Sequence, residues 1–176
     1  TGVGIENEKA GLIPNTKWKK RSFNEPWYWG ETPSTAIGQG FITTTPLQVI
    51  NMINILANDG MWMPPRIFKE QEGVRPEQIP LKKKYLSLIR EGMVAVVNSE
   101  GGTAKKVQFE EFTVAGKTAT SQVISNETLE TLDDEAKSSK IFQNHAWFVA
   151  FGPAEDPEIS VLALVEHGGG GSKAAA

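Results

Sequence analysis

Apolar positions recur at helical spacing in two stretches of the chain. Leu47, Ile50, Ile53 and Ala57 lie three or four residues apart, and Val49, Met52 and Leu56 broaden the same face. Gln48, Asn51, Asn54 and Asn58 leave only a narrow polar stripe, so this predicted helix is mostly buried. Thr45 suits the N-cap, Pro46 the first helical position, and Gln48 completes a capping box. Gly60 supplies the stop. A second helix is predicted over about Leu81 to Asn98, with Tyr85, Leu88, Ile89, Met93 and Val96 on its inner face. Gly101-Gly102 lie beyond its end, and a further short helix is expected from Thr103.

The pattern then changes. Phe112–Gly116, Ala146–Phe151 and Ile159–Val165 read as strands. The last two are apolar almost throughout, which predicts that both of their faces are covered. They are joined by Gly152-Pro153-Ala154-Glu155-Asp156-Pro157, a link short enough to favour an antiparallel pair. An acidic, polar insert at about Ile124–Lys140 reads as a solvated surface excursion. Gly168–Gly171 stand where a strand would turn into a terminal helix. The elements together predict an α/β (α+β) fold: an antiparallel sheet flanked by helices.

Residues 1–44 carry Pro, Gly, Asn and Thr breakers and little periodicity, so they read mostly as loop, with short strands allowed near Val3–Ile5. Lys17, Lys19, Lys20 and Arg21 sit beside Trp18, Trp27, Tyr28 and Trp29. Such a mixture can bind nucleic acid, but a net charge of −3 over 176 residues gives no electrostatic case for it. The favoured reading is a loop pinned by buried aromatics with its lysines in water. The absence of cysteine excludes disulfides and thiolate metal sites. The two histidines, His145 and His167, open one predicted strand and close the next; two are too few for a zinc site. No metal and no cofactor is predicted.

The candidate chemistry lies in Val114-Ala115-Gly116-Lys117-Thr118-Ala119-Thr120. An ammonium at the end of an apolar strand can pair with a carboxylate or stabilise a developing charge. Thr118 and Thr120 alternate with Ala119, so on a strand their hydroxyls share a face. Alone, the tetrapeptide is a weak signal, and a solvated lysine at a strand end is the better account of it.

Its context is more specific. Lys-Thr-Gly is one of three motifs of the penicillin-binding proteins and serine β-lactamases. The chain also carries Ala36-Ile37-Gly38-Gln39-Gly40, then Thr45-Pro46-Leu47-Gln48, then Ala57-Asn58-Asp59-Gly60. This ordered series resembles the class B penicillin-binding proteins. Asn24-Glu25-Pro26-Trp27-Tyr28 and Glu166-His167-Gly168-Gly169-Gly170-Gly171-Ser172 look like their elongation branch, penicillin-binding protein 2. The resemblance implies a D,D-transpeptidase. Its serine attacks the terminal D-Ala-D-Ala bond of a peptidoglycan stem peptide, and β-lactams trap the same serine. It also implies that Lys117 acts in the chemistry and that Lys117, Thr118, Ala119 and Thr120 form the substrate-binding strand, with Thr120 on the substrate or drug carboxylate. Peptidoglycan stem peptides, β-lactams and cell-wall elongation proteins are the implied partners. The periplasmic face of the bacterial inner membrane, with an anchor upstream, is the implied location.

Two departures stand out. Ala119 occupies a position where the family pattern usually has glycine; a methyl group is tolerated there if the strand is regular. No Ser-x-x-Lys occurs, and Ser22-Phe23-Asn24 matches Ser-x-Asn only by chance of letter and place. Residues 1–176 therefore read as the C-terminal portion of a transpeptidase domain, a segment expected not to be acylated by itself. The rival reading is a non-catalytic peptide- or penicillin-binding module that keeps the recognition strand.

Overall fold

The computed structural model describes residues 2–68 and 75–176, and in it the chain divides into two units, residues 1–49 and 50–176. In the first unit, helices form where breakers predict a loop. Helix α1 (Thr16–Phe23) begins at Asn15, whose side chain accepts the Trp18 N–H at 2.9 Å. It ends at Asn24, left-handed at φ 58°, whose N–H reaches the Lys20 carbonyl. Helix α2 (Glu31–Ala36) follows. Both are defined by their ends and are too short to show periodicity, which is why the pattern missed them. No strand forms at Val3–Ile5; Leu12 and Thr43 make an isolated antiparallel bridge instead.

Lys19 corrects the picture of lysines in water. It is only 5% exposed. Its ammonium meets Glu31 at 2.5 Å and Glu25 at 3.4 Å, and lies 4.9–5.3 Å from the ring centres of Phe23, Tyr28 and Phe41. Glu31 holds this ammonium above the ordinary lysine value of 10.5, and Lys19 in turn holds the Glu31 carboxyl below the ordinary 4.5. Lys17, Lys20 and Arg21 do face solvent. Nor are the aromatics uniformly buried: Trp29 is 96% exposed.

Helix α3 (Pro46–Ala57) starts as predicted. The Thr45 N–H reaches Gln48 Oε1 at 2.9 Å and the Gln48 N–H reaches Thr45 Oγ1 at 3.2 Å, a complete capping box. Gly60, at φ +88°, ends the turn after it; a Cβ there would lie 2.8 Å from Gln78 Nε2. Burial is lighter than predicted. Ile53 and Ala57 are buried, while Met52 is half exposed.

In the second unit, β1 (Met61–Trp62) and β2 (Glu77–Gln78) form a small antiparallel ribbon. Helix α4 (Lys83–Asn98) carries two overlapping apolar stripes, and the predicted inner face is buried only in part: Met93 is buried and Val96 packs against the core. Leu86, Met93 and Val97 face inward; Tyr85, Leu88 and Ile89 are about half exposed. Arg90 belongs to the inward stripe. Its guanidinium bonds Asp59 at 2.6 Å and the Ala154 carbonyl at 2.7 Å, and lies 5.8 Å from the centre of the Phe151 ring. These partners require Arg90, and the residues above and below it, to point inward. A single 3₁₀ turn at Lys105–Val107 replaces the short helix expected from Thr103.

Strand β3 (Ala115–Ser121) starts later than predicted and contains the lysine motif. Two short capped helices, α5 (Asn126–Glu130) and α6 (Asp134–Ser138), make up the polar insert. Strands β4 (His145–Gly152) and β5 (Ile159–Val165) complete an antiparallel sheet in the order β3-β4-β5, and α7 (Gly171–Ala174) closes the chain. The core joins Val97 and Ala104 to Val114, Phe148 and Ala150, with Ala175 and Ala176 packed against it. Helix α4 and the chain's end therefore cover one face of the sheet. β4 is buried along most of its length, but Ile159, Val161 and Val165 of β5 are exposed. Apolar character predicts that a strand needs cover; it does not tell a central strand from an edge.

Candidate functional site

Among the described residues β3 pairs only with β4, so the motif lies on an edge strand. Strand alternation sends Lys117, Ala119 and Ser121 to one face and Thr118 and Thr120 to the other. Lys117, Ala119 and Thr120 are exposed, whereas Thr118 is 8% exposed. The Lys117 ammonium donates to the Thr118 carbonyl at 2.5 Å, and no carboxylate among the described residues pairs with it. It is a cation with donors to spare.

The two threonine hydroxyls share a face, and each has a partner. Thr118 Oγ1 lies 2.8 Å from Thr103 Oγ1, and Thr120 Oγ1 accepts the Gly171 N–H at 3.3 Å. That second bond has a directional consequence. With a lone pair of Thr120 taken by an N–H, its own proton is free to donate outward. Gly171 can make this contact because it has no side chain: a Cβ would sit 2.3 Å from the Ala119 carbonyl oxygen and 2.5 Å from that of Trp147.

Ala119 sits opposite Trp147 in unbroken register and has no left-handed backbone angle, so the strand is regular where the methyl group replaces a hydrogen. Next along the face that carries Ala119, the Trp147 indole N–H donates to Ser121 Oγ at 2.9 Å. His145 pairs with Ser121 in register, and its ring meets that of His167 edge-on with centres 4.8 Å apart. Among the described residues no three metal-ligating side chains gather. Ser22-Phe23-Asn24 proves to be the end of α1, with Asn24 its left-handed cap. A separate cavity of about 550 Å³ lies between the start of α4 and the β4–β5 turn, lined by Asp59, Ser87, Arg90 and Glu155; it does not include the motif.

Thr103, Ser121 and Gly171 were not singled out as site residues from the sequence. Thr103 follows the glycine pair that ends α4, and Gly171 ends a glycine run. Neither signal says that the residue lands on the lysine strand.

Among the described residues the chain thus presents an antiparallel sheet with helices on one face and Lys-Thr-Ala-Thr on its free edge, the arrangement expected from its resemblance to the penicillin-binding proteins. The profile of the penicillin binding protein transpeptidase domain matches residues 1–176, and the chain belongs to that family. The peptidoglycan D,D-transpeptidase MrdA of Haemophilus influenzae is 37% identical over all of this chain and 29% of its own length. Penicillin-binding protein 2 of Helicobacter pylori, solved in complex with MreC, superposes with a TM-score of 0.79 at 37% identity, over 96% of this chain and 29% of that one. Penicillin-binding protein 2 of Pseudomonas aeruginosa, solved in complex with WCK 5153, gives 0.80 at 32% identity, over 97% and 37%. The chain thus spans about a third or less of the relatives it resembles.

Proposed function

We propose that residues 1–176 are the C-terminal portion of a D,D-transpeptidase domain and supply one wall of its active site. The carrying observation is an exposed edge strand that offers the Lys117 ammonium, with no carboxylate partner among the described residues, and, three residues along, an outward-donating hydroxyl, Thr120. An extended stem peptide adds to such an edge through main-chain hydrogen bonds. The Thr118 carbonyl takes the Lys117 ammonium, so it lies on the free side of the strand with the backbone of Thr120. The N–H of Thr120 then faces the cleft as an oxyanion donor.

In this reading a serine from the rest of the domain attacks the penultimate D-Ala carbonyl. A C–O bond forms, the amide C–N bond breaks, and the terminal D-Ala leaves as its amine. The amine of a neighbouring stem then displaces the serine and restores an amide. Lys117 and Thr120 hold the substrate's terminal carboxylate, Thr118 backs the strand, and Ala119 leaves its surface flat. A β-lactam carboxylate takes the same place.

The relatives' names support peptidoglycan D,D-transpeptidation, the Helicobacter complex supports an MreC-like partner, and the resemblance to the elongation branch implies that the cross-linking serves cell elongation. The site of action would be the periplasmic face of the inner membrane. No helix among the described residues is long and apolar enough to cross a membrane.

The test is labelling of the full-length protein with a fluorescent penicillin. The reading expects one covalent adduct, prevented by excess of a peptide ending in D-Ala-D-Ala. An unlabelled protein that still binds the peptide would favour the non-catalytic binding module.

A further inference from the structure

The turn after β5 is fastened to the start of β4 at three points. The His167 N–H donates to His145 Nδ1 at 2.9 Å, His167 Nδ1 lies 3.2 Å from the Gln143 carbonyl, and the Gly169 N–H reaches the Asn144 carbonyl at 2.9 Å. His167 holds a left-handed backbone, φ 53°, which a residue other than glycine adopts only when its surroundings impose it. At the end of this turn, the Gly171 N–H meets the Thr120 hydroxyl and fixes its outward direction.

Only one of the three fastenings fails on protonation. An Nδ1 that accepts a backbone N–H must carry a lone pair, so this fastening requires the ring proton of His145 on Nε2 alone. Protonating Nδ1 sets donor against donor. Protonating His167 leaves its bond to the Gln143 carbonyl intact, because Nδ1–H still donates. With the ring centres 4.8 Å apart, a second charge would also meet the first. Charged neighbours are few. On β3 the nearest is Lys117, β5 carries none, Glu166 follows β5, and α7 contributes Lys173; none forms an ion pair with either ring.

Resting on the transpeptidase reading above, we propose that His145 is a positioning residue: neutral, it holds the 166–171 turn so that Gly171 orients the Thr120 hydroxyl toward the substrate carboxylate. Protonated, it releases that turn and the carboxylate is held less well. The effect falls on binding rather than on the limiting rate of acylation.

The test uses the full-length protein, measuring penicillin acylation from pH 5 to 8, the span over which histidine changes charge, with hydrogen exchange of the 166–171 segment in parallel. Asn places a non-titrating acceptor where Nδ1 stands. His145→Asn should keep the parent's acylation and exchange protection at pH 8, and at pH 5 should lose less of both than the parent does. His145→Phe has no acceptor; it should weaken penicillin binding roughly two- to tenfold at pH 8, the span of one hydrogen bond, with faster exchange in 166–171 and little change in the limiting rate. The proposal is overturned if His145→Asn follows the parent's pH profile in both readouts, or if His145→Phe matches the parent at pH 8. A parent that is never acylated would instead remove the transpeptidase reading, and the exchange data alone would still decide the fastening.

Discussion

Two lysines divide the labour of this chain. Lys19 is enclosed by two carboxylates and three aromatic rings; Lys117 stands at a free sheet edge with a single carbonyl for a partner. A cation with every direction occupied organises the chain around it. A cation with directions left over can take a ligand's carboxylate. In the proposed reading the same side-chain chemistry serves the fold in one unit and the substrate in the other, and what differs is the supply of partners rather than the residue.

The sharpest way to break this contrast is to remove Lys117. In the full-length protein, Lys117→Ala should slow penicillin acylation by roughly a hundred- to a thousandfold, the cost of one preorganised electrostatic group. Its melting transition should shift by no more than about 0.5 kcal/mol, as for a surface residue. Equal losses of rate and stability would make Lys117 structural as well.

The core beneath β3 should respond in the opposite sense. Val97→Ala removes two buried methyl groups from the cluster that packs against Phe148 and should cost about 2 kcal/mol in a denaturant titration. Native protein that remains should acylate at a near-parental rate.

The Lys19 pair makes a pH prediction. Glu31 is held below its ordinary value, so its contribution is complete above pH 4.5 and is lost as pH falls through the lower folded value. Lys19 is held above its ordinary value, so its contribution is complete below pH 10.5 and is lost as pH rises through the higher folded value. Glu31→Gln should lower the melting temperature at neutral pH and flatten its fall in both outer windows. Melting curves that run parallel to the parent's across pH would show that the pair adds nothing. The smallest effect belongs to the half-exposed stripe of α4: Leu88→Ala should change stability by within about 0.5 kcal/mol.

These predictions also mark how far the sequence could be read. The capping box of α3, the β4–β5 pair and the lysine strand are local patterns, and they appear within a few residues of where they were placed. The short helices of residues 1–49 are not periodic, and their centre is a buried cation that polarity alone assigns to water. On α4, two apolar stripes run side by side; the choice between them is made by Arg90, whose partners Asp59 and Ala154 are far away in sequence. The proposed site was legible as a set of letters, Lys117 to Thr120. Its orientation was not, because the groups that set it, Thr103 and Gly171, reach the strand only through the tertiary fold.

The most direct test of the central claim is a crystal structure of the full-length protein acylated by a penicillin. The account predicts that the drug runs antiparallel along the free edge of β3, its carboxylate within hydrogen-bond distance of the Thr120 hydroxyl and near the Lys117 ammonium. An adduct whose carboxylate lies away from this strand, with Lys117 and Thr120 both facing solvent, would contradict it.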